Sequence, residues 1–339
     1  MVGTLRRLLP LLIFLLVWCS PPLHAGVGRP DPEQGPTEVQ IQIFVLDLDE
    51  IDSANQNFSA NVFFEALWRD PRLATDPAGG IQRRPLSEIW HPRLQVLNQQ
   101  RLWSTMAEEA EIQPDGTVVF RQRAWGSFSQ PLNLKEFPFD RQALSIQLVA
   151  ADYLTEQVEL VATVGSGVSD TLSIADWKVV NWEMAADAPV PSPPGAKHEI
   201  VPSVALVLHV ERRIGYYVIK VILPLLLIVA MSWVVFWIDP RDFGTKVSVA
   251  ITAMLTLIAY RFAVGATLPN VSYLTRLDLF IMVSTVLIYA SLVVVVVTSH
   301  YARTDRPGAA KRIDRWVRWL APLVFLVVAV GTLYLGFGV

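Results

Sequence analysis

Cysteine is nearly absent: the chain of 339 residues has one, Cys19, and it lies in a leader-like segment. Once that segment is removed there is no disulfide and no thiol chemistry. Histidine is sparse, and His91, His198, His209 and His300 are scattered without metal-ligand spacing. No P-loop, no Gly-rich dinucleotide motif and no nucleophile–base arrangement is present. The expectation is a protein that is not an enzyme, with no cofactor, no catalytic residues and no metal centre. Charge is also scarce, at 17% of residues, with a net charge of -3. A pI near 6.0 and the lack of a basic, aromatic-studded face exclude nucleic acid as a partner. The acidic run Glu108, Glu109 and Glu111 reads as a solvated surface, with a divalent-cation site as the alternative.

What the chain has instead is apolar surface: 52% of its residues are hydrophobic and the mean hydropathy is +0.38, which points to a membrane protein. In residues 1–25, Arg6 and Arg7 precede an apolar run from Leu8 to Trp18, then Leu23-His24-Ala25. This pattern predicts a signal peptide cut after Ala25. The alternatives are an uncleaved anchor, for which the run is short, and a lipoprotein cut at Cys19, where bulky Trp18 occupies a position that favours a small residue.

Residues 26–213 then form one soluble domain. Alternating segments such as Val39-Gln40-Ile41-Gln42-Ile43 and Leu144-Ser145-Ile146-Gln147-Leu148, broken by Pro, Gly, Asn and Asp clusters, predict an antiparallel β-sandwich. Pro114-Asp115-Gly116 marks a turn into the strand that begins Thr117-Val118-Val119-Phe120. The run Ala188-Pro189-Val190-Pro191-Ser192-Pro193-Pro194-Gly195 predicts a loop between the last two strands.

Residues 214–339 carry four segments long enough to cross a bilayer, at about 215–238, 244–265, 275–299 and 314–337. Arg303, Arg306, Lys311, Arg312, Arg315 and Arg318 are expected in the loop after the third span. The loop between the second and third is nearly uncharged before Arg276. The positive-inside rule then places the N-terminal domain and the C-terminus on the extracytoplasmic side.

The second span differs from the others. Ser248, Thr252, Leu255, Ala259 and Phe262 recur at intervals of four and three, one stripe of an α-helix. In a single helix such a stripe is most simply a packing face. In several copies around an axis it becomes rings: hydroxyls that replace ion hydration, then apolar rings that close by dewetting, with Leu255 as the gate.

Gly244-Thr245-Lys246-Val247-Ser248 leading to Leu255-Thr256 resembles the pore helix of the nicotinic-receptor superfamily of pentameric ligand-gated ion channels. Phe137-Pro138-Phe139-Asp140 is similar to the core of that family's signature loop. Gln130 and Leu144 stand where animal receptors have bridging cysteines, a loss shown by bacterial members. Trp90-His91-Pro92 with Asn98, Trp68-Arg69-Asp70-Pro71-Arg72-Leu73, Phe236-Trp237 and Ala321-Pro322 extend the resemblance over nearly the whole mature chain.

The resemblance implies an all-β, immunoglobulin-like extracellular sandwich joined to a four-helix transmembrane bundle. It also implies a homopentamer, four further copies of the chain around a central pore in a bacterial inner membrane. Asp52, Phe137, Pro138, Asp140 and Arg212 are the expected gating-coupling residues, with Asp52, Asp140 and Arg212 in one ionic cluster. Asp239, Asp242, Gly244 and Thr245 are the expected selectivity residues at the cytoplasmic mouth. The two aspartates favour monovalent cations, provided that Lys246 points away from the lumen.

The agonist site is expected between subunits, with Phe63, Gln95, Ala151, Asp152, Tyr153 and His198 as candidates. Ala151 stands where amine-binding relatives have a key tryptophan, so a quaternary-amine agonist is not expected. A proton or a small organic molecule remains, with His198 and His209 as candidate sensors. The competing reading is a membrane-anchored sensor or binding module without a conducting pore.

Overall fold

A computed structural model describes residues 28–186, 190, 201–239, 241–265, 271–304 and 307–332. The leader at 1–25, most of the Pro-rich loop and His198 lie outside the described residues. The N-terminal part is built from strands β1 (Thr37–Asp52), β2 (Asn57–Arg69), β3 (Gln82–Pro85), β4 (Leu94–Val96), β5 (Gln99–Ser104) and β6 (Glu109–Ile112). β7 (Thr117–Ser129), β8 (Arg141–Ala150), β9 (Val158–Ala162), β10 (Gly167–Val168), β11 (Trp177–Ala186) and β12 (Ser203–Arg212) complete it. One sheet runs β10-β1-β2-β7-β6-β3, with β5 also on β7 and β9 also on β1, and the other runs β11-β12-β8-β4.

Alternation explains the core shared by the two sheets. In β2, Phe58, Ala60, Val62, Phe64, Ala66 and Trp68 point inward without interruption. In β1 the buried residues run Val39, Ile41, Ile43, Val45 and then Leu48 and Ile51. The change of period comes from register shifts at Val45/Asp47 and Leu48/Glu50, β-bulges that each add one residue and keep the apolar side chains facing in. The Phe58 and Phe128 rings stack at 5.2 Å in this core. β12 turns Val204, Leu206, Leu208 and Val210 inward by the same rule.

Four helical segments follow among the described residues. The first, α1 (Gly215–Trp237), contains a π-helical turn at Val218–Ile222 just before Pro224. Proline lacks the N–H and crowds the carbonyl four residues back, here Lys220, so a widened turn at that point is the expected accommodation. The Val221 carbonyl within it accepts a hydrogen bond from Tyr260 Oη at 2.6 Å. That residue belongs to α2 (Phe243–Gly265). The third helix, α3 (Arg276–Arg303), opens on a capping box between Thr275 and Asp278, which satisfies backbone donors reciprocally. The last, α4, covers Pro307–Val330.

By length and composition, α1, α2 and α3 are each apolar enough to cross a membrane. The N-terminal half of α4 carries Lys311, Arg312, Asp314, Arg315 and Arg318. These cations were expected in the loop after the third span, but they stand on the helix, and Arg303 ends α3. A hydropathy window marks the apolar core of a helix, whereas long basic side chains let the helix itself run on into the interface.

Gly116, at φ +83°, closes the β6–β7 turn, and a Cβ there would meet the Asp70 carbonyl oxygen at 2.6 Å. Gly116→Ala is expected to destabilise the sandwich by at least about 1–2 kcal/mol, the cost of a left-handed alanine, read as a lower unfolding temperature of the purified protein.

Candidate functional site

Strand alternation places Arg212, the last residue of β12, on the core side of its sheet, and its side chain is 5% exposed against 1% for Asp140. The pair is bidentate: Nε donates to Asp140 Oδ1 at 2.7 Å and Nη2 donates to Oδ2 at 3.0 Å. Gln142 Nε2 donates to the same Oδ2 at 2.9 Å. The guanidinium lies 4.1 Å from the Trp177 ring centre and 4.8 Å from that of Phe137. Trp177 is there because it pairs directly with Arg212 across β11 and β12. A charge taken out of water is tolerable only when it is paired, and these contacts supply the pairing.

Asp52 does not join this cluster. Its carboxylate accepts from the backbone N–H groups of Ala54 and Asn55 and from Asn55 Nδ2, which closes the β1–β2 turn. Those donors, the Asn55 backbone N–H foremost, hold its carboxyl below the usual range. The adjacent Ser53 reaches Arg212 instead, with Oγ 3.2 Å from Nη2. A short polar turn satisfies an aspartate locally before it can reach a distant cation.

The segment 130–143 rests on the helices. Tyr273 Oη accepts from Leu134 N at 2.9 Å and donates to Leu132 O at 3.3 Å. Arg276 N donates to Lys135 O and Leu277 N to Phe137 O, at 3.0 and 3.2 Å, and Arg276 Nη2 meets Glu136 Oε1 at 2.7 Å. At the neck of the loop, Gln130 Oε1 accepts from Ser145 N at 3.1 Å. Gln142 bonds both backbone groups of Asn133, its Oε1 at 3.1 Å and its Nε2 at 2.8 Å. Amide hydrogen bonds thus close a neck that has no disulfide, and Leu144 is fully buried in the core.

On α2 the two faces separate. Lys246, Ala250, Ala253, Leu257 and Val264 are buried against the rest of the chain. Ser248, Thr252, Leu255, Ala259 and Phe262 are exposed, Leu255 at 61% and Phe262 at 79%. The Thr252 hydroxyl donates to the Ser248 carbonyl at 2.8 Å. At the N-terminal end Asp239, Asp242, Gly244 and Thr245 are exposed or nearly so. Asp242 Oδ1 accepts from Thr245 N, and the Arg241 backbone N–H holds the Asp239 carboxyl below its ordinary range. Lys246 is packed on the opposite side, its Nζ 2.5 Å from Asp314 Oδ2 of α4.

The remaining candidates are spread over both sheets. Phe63 is half-buried on the outer face of β2, opposite Arg123 of β7. Gln95, on β4, is exposed and lines a cavity of about 670 Å³ between the sheets, together with Trp68, His91 and Glu108. After β8, Ala151 is exposed, Asp152 pairs with Arg93 at 3.2 Å, and Tyr153 Oη accepts from Trp90 Nε1 at 3.0 Å. Phe63 faces away from the core and Asp152 sits at the end of the other sheet, so one chain does not bring them together. His209 faces Glu183 at 3.2 Å.

Glu111 is not a free solvated carboxylate. Arg83 and Arg121 flank it at 2.8 and 2.7 Å, and their hydrogen bonds hold its carboxyl low. Among the described residues no cluster of three or more metal-ligating side chains occurs.

The sequence reading missed Ser53, Trp177, Tyr273 and Asp314. Only the last left a signal, a lone carboxylate among Lys311, Arg312, Arg315 and Arg318.

A family model of the neurotransmitter-gated ion-channel ligand binding domain matches residues 24–214. A second, of the neurotransmitter-gated ion-channel transmembrane region, matches residues 221–307. Among curated proteins, a proton-gated ion channel of Gloeobacter violaceus is 26% identical over 331 residues, 95% of this chain and 90% of that one. The gamma-aminobutyric acid receptor subunit rho-3 of Rattus norvegicus is 27% identical over 281 residues, 80% of this chain and 60% of the receptor subunit. The two family models meet where β12 runs into α1, one on the sandwich and one on the helices, and neither describes an enzyme. The chain is a membrane protein of the neurotransmitter-gated ion-channel family, a β-sandwich ligand-binding domain followed by a helical transmembrane region.

Proposed function

We propose that the protein is the subunit of a homopentameric, cation-selective channel in the cell membrane, opened by an agonist that reaches the sandwich from the extracytoplasmic side. The observation that carries this reading is the division of α2. Leu255 and Phe262 are left uncovered by the subunit's own helices while the opposite stripe is packed. Repeated around an axis, Ser248 and Thr252 would line the cytoplasmic half with hydroxyls, and Leu255, Ala259 and Phe262 would form the apolar constriction. Lys246 is buried and Asp239 and Asp242 are exposed at the same end of α2, which favours cations there.

The agonist reading rests on two supports. One relative is named a proton-gated channel, and exposed Ala151 stands where amine-binding relatives have a key tryptophan, so no ring face is offered to a cation at that position. A ligand that touches both Phe63 and Asp152 would have to lie between two copies of the chain. The proton is therefore the first agonist to test, and a small organic molecule is the second. The Arg212–Asp140 pair, beside the first turn of α1 and the loop that holds Arg276, is the element through which the sandwich would move the helices.

Currents from the reconstituted protein, recorded while the external pH is stepped, test this reading. Acid-evoked cation current is expected, and Leu255→Ala is expected to open at a less acid pH because the apolar ring is weakened. If assembled wild type and variant are both silent at every pH and to every small organic ligand tried, a non-conducting sensor replaces the channel.

Arg212→Ala strands Asp140 in the core, a loss of about 3–5 kcal/mol for breaking one side of a buried pair. Reduced assembly, or assembled protein with impaired gating, is expected in surface-labelling and current assays. Normal delivery with unchanged gating would remove the coupling role.

A further inference from the structure

Lys246 is fully buried, and its Nζ sits 2.5 Å from Asp314 Oδ2. It lies in the first turn of α2, between Thr245 and Ser248, so its formal charge is at the mouth of the proposed pore. Nine residues separate it from Leu255, which on an α-helix is half a rotation away. The ammonium is thus turned from the uncovered stripe into the packing between helices.

What holds it there comes from α4. Asp314 is itself buried, and one turn further on Arg318 Nη2 donates to the Phe236 carbonyl of α1 at 2.9 Å while its guanidinium lies 5.2 Å from the Trp237 ring centre. Those contacts fix the segment of α4 that carries Asp314 against the end of α1. Asp314 Oδ1 has no hydrogen-bond partner among the described residues, so this carboxylate's one polar contact there is with Lys246.

We propose that Asp314 is a positioning residue for ion selectivity: by pairing with Lys246 it keeps a ring of ammonium groups out of the cytoplasmic mouth. The proposal rests on the channel reading above. Without Asp314 the lysine is an unpaired buried cation, a state that proteins avoid either by deprotonation or by reaching water. The flexible four-carbon stem, one turn from the end of α2, gives it a route to water at the mouth. One such charge per subunit there repels cations and attracts chloride.

The test measures reversal potentials in asymmetric NaCl, and single-channel conductance, for wild type, Asp314→Asn, Asp314→Glu and the double variant Lys246→Met/Asp314→Asn. Asp314→Asn is expected to lower cation conductance and to shift the reversal potential toward that of chloride. Asp314→Glu, which keeps the charge, and the double variant, which removes the ammonium, are expected to return both readouts toward wild type. A purely packing role would change expression or thermal stability without moving the reversal potential.

The inference is overturned if Asp314→Asn conducts and selects as wild type does, or if the double variant is shifted as far as the single one. Should Asp314→Asn fail to assemble alone, it is co-assembled with wild-type subunits, where stepwise lower conductance levels are expected and a single wild-type level would overturn the idea. Wild-type current that follows chloride would sink the cation reading alone, since the shift between wild type and Asp314→Asn still reads the role of Asp314.

Discussion

A buried guanidinium–carboxylate pair is the constraint around which the two halves of this chain are arranged. Arg212 occupies a core-facing position of β12 that Val204, Leu206, Leu208 and Val210 reserve for apolar residues on the preceding turns of the alternation. A charge at that register is admissible because Asp140 meets it with two hydrogen bonds and Trp177 and Phe137 cover it with ring faces. The chain enters α1 three residues later. The direction of the first helix therefore starts from a point fixed by ionic and aromatic contacts, which are geometrically more demanding than hydrophobic burial.

The loop that supplies Asp140 also bonds the helices directly. Its carbonyls receive the backbone N–H groups of Arg276 and Leu277 at the start of α3, and Tyr273 is bonded to it twice. Because Gln130 and Gln142 close its neck by hydrogen bonds, the loop keeps its shape without the covalent bridge that the sequence lacks. In the proposed channel, movement of either sheet edge would pass to α1 through Arg212 and to α3 through this loop. Tyr273, just ahead of α3, is attached to the same loop. At its N-terminal end α2 is held by Lys246 and Asp314.

Much of this was legible in the sequence because it depends on periodicity. Alternation at Val39–Ile43 and Leu144–Leu148 revealed β1 and β8, the change to apolar runs revealed the helices, and the Ser248–Phe262 stripe indicated which face of α2 stays uncovered. Phe137-Pro138-Phe139-Asp140 and Arg212 were identified as partners through resemblance, and the structure brings Asp140 and Arg212 together. What escaped depends on local competition or distant pairing. Asp52 was expected in the ionic cluster, but its own turn offers two backbone N–H groups and the Asn55 amide at no cost in chain entropy. Trp177 covers Arg212 through a cross-strand register that no local pattern announces. The basic residues of α4 were read as a loop because the helix begins, at Pro307, well before its apolar stretch does. The partner of Lys246 lies 68 residues away, beyond the reach of any motif.

The central claim is that the uncovered stripe of α2 faces water in a conducting path. Since Cys19 is the sole cysteine, single cysteines can be introduced at Thr252, Leu255 and Ala259 on one face and at Ala250, Ala253 and Leu257 on the other. Each is then treated with a charged, water-soluble thiol reagent during current recording. The account predicts that modification alters the current at the first three positions and leaves it unchanged at the last three; equal reaction on both faces, or reaction confined to the buried face, would contradict it.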